Sequence, residues 1–167
     1  MLDFARLVTV GRRAPVARNY HGAKMSENLN KLKAAYQAWN DTKGGSVETW
    51  LNLFAEAMNF RSLGGGRAEL AFTGPRQSKA DLRGYFDGLL GAWEMIHFTP
   101  RYFVEDGDHI VMFGRTTWRN KATGAVYDTA KADFWRFKDG KAVEFFEMYD
   151  TAAAQECART NNAAMSA

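Results

Sequence analysis

The chain has 167 residues, 46% of them hydrophobic and 14% aromatic, with a net charge of +3 and a pI near 9.0. That length suits one domain with a real core. Its one cysteine, Cys157, excludes an intrachain disulfide and a multi-cysteine metal site, and suits a reducing compartment. No apolar run approaches the roughly 18 residues of a membrane span, which argues against a membrane partner. The basic pI invites a nucleic-acid partner, but the charge is concentrated at one end. Residues 1–24 hold five basic groups (Arg6, Arg12, Arg13, Arg18, Lys24) against Asp3, a net of +4. The remainder has 17 basic and 18 acidic residues, a net of −1, and so no basic footprint for nucleic acid.

Residues 1–25 read as a basic leader, either disordered or upstream of a natural start at Met25, where "MSENLNKL" opens a helix directly. An Arg-rich, acid-poor leader also suits organelle targeting, although this one lacks serine and carries Gly11 and Pro15. A cytoplasmic location is expected, with targeting through residues 1–24 as the alternative.

Ser26 is placed to cap a helix over 27–39, with Leu29, Leu32, Tyr36 and Trp39 on one stripe. Ser46 opens a second helix whose stripe is Val47, Trp50, Leu51, Phe54, Ala55 and Met58. "MNFRS" and "AELAF" then read as short strands around the glycine loop 64–66. A Ser78/Asp81 capping box starts a third helix, weakened by Gly84, Gly88 and Gly91. From Met95 the pattern is that of strands. "MIHFTPRYFVED", "HIVMFGRTTWRN", "AVYDTAKADFWRFK" and "KAVEFFEMYD" are joined by turns, the last at Asp139-Gly140. Three helices followed by a four-stranded antiparallel meander is an α+β fold with helices on one face of a curved sheet.

One strand poses a chemical question. Lys131, Asp133, Trp135 and Phe137 alternate onto a single face, so two charges share a surface with large aromatics. If that face is buried, each charge needs a partner or a purpose. No metal-ligand spacing, phosphate loop, nucleophile elbow or dinucleotide fingerprint accompanies them, and no cofactor is implied.

The order of elements resembles the nuclear transport factor 2-like, or cystatin-like cone, superfamily, which includes ketosteroid isomerases, SnoaL-like polyketide cyclases and scytalone dehydratases. "LKAAYQAWND", "FTGPRQSKADLRGYF", "VEDGDHIVMFGR" and "ADFWRFKDGKAVEFFEMYD" carry the likeness, over residues 26–152, with 153–167 as a tail. It implies a strongly curved, mainly antiparallel sheet around the helices, a conical pocket, a small hydrophobic ligand and a homodimer through the outer sheet face. The isomerase oxyanion hole uses a Tyr on the first helix and a neutral Asp on the penultimate strand. The resemblance puts Tyr36 and Asp133 at those positions. The isomerase base falls at Ser62, with no carboxylate within two residues, which disfavours simple steroid isomerisation. Lys131 replaces an apolar residue and would favour ionised Asp133.

Tyr36, Lys131 and Asp133 are therefore the catalytic candidates, with Trp39, Phe54, Met112, Thr116, Trp135, Phe145, Glu147, Tyr149 and His97 as pocket candidates. Two functions stay open. One is a cofactor-free acid–base enzyme of isomerase, cyclase or dehydratase type acting on a small hydrophobic carbonyl compound. The other is a non-catalytic ligand-binding or dimeric interaction module. Lys131 and Asp133 as a structural pair, with Tyr36 as simple core, would fit the second.

Overall fold

The computed structural model describes residues 25–159, so the reading of 1–24 as a leader lies outside the described residues. Helix α1 spans Glu27–Asp41, its first turn closed by Ser26 Oγ accepting from the Leu29 amide at 3.0 Å. Leu29, Leu32, Ala35, Tyr36 and Trp39 form its buried stripe. Helix α3, Lys79–Ala92, opens on the expected capping box. Ser78 Oγ accepts from the Asp81 amide at 3.1 Å and donates to its carboxylate at 2.6 Å.

Between them the structure departs from the sequence pattern. Helix α2 is only Val47–Leu53, and Phe54, Ala55 and Met58 belong to strand β1, Phe54–Ser62. Residues four apart share a face in a helix and also in a strand, so Phe54 and Met58 fit either pattern. The burial of Met58, Phe60 and Ser62 at every second position identifies the strand. "AELAF" forms a 3-10 helix, Ala68–Thr73, instead of a strand; the Thr73 hydroxyl donates to the Leu70 carbonyl at 2.6 Å and accepts from the Gly66 amide. Gly88 serves this packing, because a Cβ there would stand 2.4 Å from Phe72 Cβ.

Strand β2 is Arg76–Ser78, and β3 to β6 are Trp93–Asp106, His109–Asn120, Val126–Lys138 and Lys141–Tyr149. A fourth helix, α4, Thr151–Ala158, stands where a tail was expected. The last four strands form the expected antiparallel meander, but the sheet has six strands in the order β2-β1-β6-β5-β4-β3, with β1 parallel to β6. Register shifts in β3 after Met95 and after Pro100 bend that long strand and help curl the sheet over the helices. Asp139 and Gly140 both have positive φ, as a tight two-residue hairpin turn requires. The core lies between α1–α3 and the concave face. No helix among the described residues is long and apolar enough to cross a membrane.

Candidate functional site

Strand β5 supplies the charged face. Alternation turns Asp133, Trp135 and Phe137 inward, and Lys131 follows at the same parity with a side chain only 8% exposed. Asp133 is paired across the ladder with Glu147 of β6, so their side chains meet on one face. Three ionisable groups thus share the interior. Lys131 Nζ lies 3.1 Å from Asp133 Oδ1 and donates to Glu147 Oε2.

Helices complete the cluster with hydroxyls. Tyr36 of α1 donates to Asp133 Oδ2 at 2.6 Å and accepts from the Trp135 indole N–H at 3.0 Å. Tyr85 of α3 donates to Glu147 Oε1 at 2.9 Å. Glu147 therefore has a partner on each oxygen. Asp133 Oδ1 faces the ammonium of Lys131 at 3.1 Å, so both carboxylates share that one cation.

Burial pushes the Asp133 carboxyl up, Lys131 opposes, and Glu147 adds a like charge; it settles at about 6. Burial also disfavours the Lys131 ammonium, but the charges of Asp133 and Glu147 overcome this and hold it well above the usual lysine range. The hydroxyls of Tyr36 and Tyr85 are pushed far up, first by burial and then by the carboxylates they face, and remain protonated donors.

These groups open onto a cavity with about 80 Å³ of space for the centre of a water-sized sphere. That is room for about six waters, or roughly 200 Å³ of liquid, the size of a compound with one ring and a short side group. Tyr36, Lys131 and Asp133 all line it, as do Trp39, Phe54, Thr116, Trp135, Phe145, Glu147 and Tyr149. Two expected lining residues do not. Met112 is fully buried beside Asp133 in the ladder but does not reach the cavity wall. His97 is exposed outside the cavity, its Nε2 2.9 Å from Thr117 Oγ1. The bulge after Met95 is the reason: it reverses the parity of the strand, so Met95 and Phe98 point inward and His97 outward.

Ser62 stands beside Glu147 in the parallel β1–β6 pairing, so the carboxylate absent around Ser62 is present on the neighbouring strand. Gly64, in the loop after β1, packs tightly at the cavity's edge. A Cβ there would lie 2.5 Å from Thr73 Oγ1 and 2.8 Å from the Tyr149 hydroxyl. Tyr85 and Trp50 also line the cavity; the sequence pattern marked Trp50 as a helix-stripe position and did not single out Tyr85. A helix stripe shows which side is buried, but not whether it borders solid core or a cavity.

A six-stranded curved sheet wrapped on helices, with an aromatic cavity at its concave face, is the NTF2-like cone. Similar solved structures include an NTF2-like protein of unknown function from Burkholderia pseudomallei, with a TM-score of 0.72 and 21% identity over 81% of this chain and 100% of that one. TerC, co-crystallised with polyporic acid, matches with a TM-score of 0.67 and 22% identity, again over 81% and 100%. A ketosteroid isomerase-like fold from Catenulispora acidiphila, in complex with trimethylamine, gives 0.60 and 14% over 74% and 88%. No curated protein matches the sequence. The chain belongs to the SnoaL-like domain family, whose model matches residues 32–145.

Proposed function

We propose that the cavity is a small-molecule site at which Asp133 moves a proton on a small, largely apolar carbonyl compound, without a cofactor. The observation that carries this reading is Asp133 itself: a buried carboxylate among the residues lining an aromatic cavity, held by Tyr36 on one oxygen and by the Lys131 ammonium at 3.1 Å on the other. A carboxyl near 6 is mostly ionised at neutral pH yet basic enough to take a proton from a carbon next to a carbonyl. Asp133 Oδ1 takes that proton, the C–H electron pair moves toward the carbonyl oxygen, and return of the proton to the same or a conjugated carbon completes an isomerisation. Lys131 Nζ balances charge beside the carboxylate. Tyr36 orients it through the bond to Oδ2, because its own proton is already committed there. The complexes of TerC with polyporic acid and of the Catenulispora protein with trimethylamine support a small-molecule role for the cavity.

Ser62 at the position of the isomerase base favours a second reading, a ligand-binding module without turnover. Tyr102 and Phe113, exposed and paired across β3 and β4, support the expected association of two copies through the sheet.

Deuterium exchange into the methyl group of acetophenone separates turnover from binding, since it needs only proton abstraction. The wild type accelerates exchange, and Asp133→Asn lowers the enzymatic rate at least about 100-fold while keeping its melting transition. Binding of acetophenone without any acceleration by the wild type would leave the binding-module reading.

A further inference from the structure

The cavity meets solvent on one side. Of the residues that line it, only Phe72, Leu89, Tyr127, Lys131 and Tyr149 are partly exposed, and they come from the 3-10 helix, α3, β5 and β6. Most polar groups at this open end are already engaged. Asp133 and Glu147 share the Lys131 ammonium, and the Tyr149 hydroxyl has Ser62 Oγ at 3.5 Å.

The Tyr127 hydroxyl has no hydrogen-bond partner among the described residues. Nor is it a sealed atom: the buried side-chain polar atoms without a partner among those residues are the Ser46 hydroxyl, the Trp50 nitrogen and Asp133 Oδ1. Tyr127 has the parity of Lys131 and Asp133 on β5, so its ring stands on the concave side. Trp118, another lining residue, is its ladder partner, and Trp93 meets its ring edge-on at 5.4 Å. Burial and then the neighbouring Tyr149 push its hydroxyl up; Lys131 opposes, and Glu147 adds a further push. The hydroxyl therefore stays protonated, within reach of the charges at the cavity wall and bonded to none of them. Cavity space separates them.

We infer that the Tyr127 hydroxyl is the polar contact for the ligand at the open end of the cavity, and that it takes a neutral hydroxyl group on the ligand's outer end. The inference rests on the small-molecule role proposed for the cavity, with the carbonyl toward Asp133, and narrows the ligand to a compact aryl ketone with a ring hydroxyl. A phenol both donates and accepts, so two of them pair in either direction. An anionic group would fit less well, because the nearby cluster already holds two carboxylates for one cation. Trp93, Trp118 and Phe98 supply aromatic wall for the ring.

The test compares 4-hydroxyacetophenone with 4-methylacetophenone, of nearly the same size, in the wild type and in Tyr127→Phe, which keeps the ring against Trp93. Tyr127→Phe weakens binding of the hydroxyl compound about tenfold and changes that of the methyl compound less than about twofold. In wild-type protein labelled at tyrosine Cζ, the Tyr127 signal moves with the hydroxyl compound and not with the methyl compound, a readout that needs no variant to fold. Equal effects of Tyr127→Phe on the two compounds, or a Tyr127 signal indifferent to the ligand's hydroxyl, overturns the inference, since the group would then only be hydrated. Loss of hydroxyl recognition in Tyr149→Phe but not in Tyr127→Phe overturns it as well. If methyl deuterium exchange still depends on Asp133 in those cases, the acid–base reading survives. Selective weakening in Tyr127→Phe without any wild-type exchange supports the inference and overturns that reading instead. Failure of the wild type to bind either compound overturns both.

Discussion

The concave and outer faces of the same sheet both carry ion pairs, and the pairs could hardly differ more. Outside, Arg119 meets Glu94 and Arg115 meets Asp128, each at 2.9 Å, with side chains between 42% and 54% exposed. Water and salt screen them, and pairs of this kind contribute about 0–1 kcal/mol. Inside, Lys131, Asp133 and Glu147 have side chains 8% or less exposed, and each has lost most of its hydration. The interior cluster also has an uneven count, with one cation for two carboxylates. A fold that needed only stability would serve better with apolar residues there, since burying ions rarely repays its cost. The inner charges are the groups that the proposed acid–base reading puts to use.

Breaking the inner cluster has the largest expected effect. Lys131→Met leaves two facing carboxylates without a cation and should cost about 3–5 kcal/mol of stability in chemical denaturation. The loss should grow with pH, because protonating Asp133 at low pH relieves it. Asp133→Asn isolates one titration. The native carboxyl near 6 lies above its ordinary 3.8, so the folded state binds the extra proton and is favoured at low pH. This group's contribution therefore declines as pH rises from about 4 to about 6, by roughly 3 kcal/mol in all. The unfolding free energy of the wild type, minus that of Asp133→Asn, should fall across that window and be flat above it.

Glu147→Gln sharpens the comparison further. Glu147 raises the Asp133 carboxyl by like-charge repulsion, so its removal should move Asp133 below 6, read by carbon-detected NMR titration of the side chain. The smallest effect belongs to the outer face. Arg119→Ala should change stability by less than about 0.5 kcal/mol and leave ketone exchange untouched.

How much of this was legible in the sequence depended on periodicity. The inward face of β5 follows from strict alternation, but the pairing of Asp133 with Glu147 does not follow from the turn at Asp139-Gly140, whose register would set Asp133 opposite Phe146; a register shift between Arg136 and Phe137 brings Glu147 there instead. His97 was not legible, because a bulge changes parity without a sequence marker as plain as glycine or proline. The second helix was overextended because the four-residue spacing of Phe54 and Met58 suits helix and strand alike. Trp50 was hidden in an amphipathic stripe, and nothing in the pattern of the third helix singled out Tyr85. Their importance depends on which side-chain atoms find partners, and only the packed fold decides that.

The most direct test is the pH profile of acetophenone exchange in the wild type and Asp133→Asn. If Asp133 is the base, kcat/KM for the wild type rises as pH increases through about 6, where the carboxyl loses its proton, and then levels. Asp133→Asn should show no such rise and a rate at least about 100-fold lower. The same profile and rate in the variant would contradict the account, because the proton would then be moved by some other group.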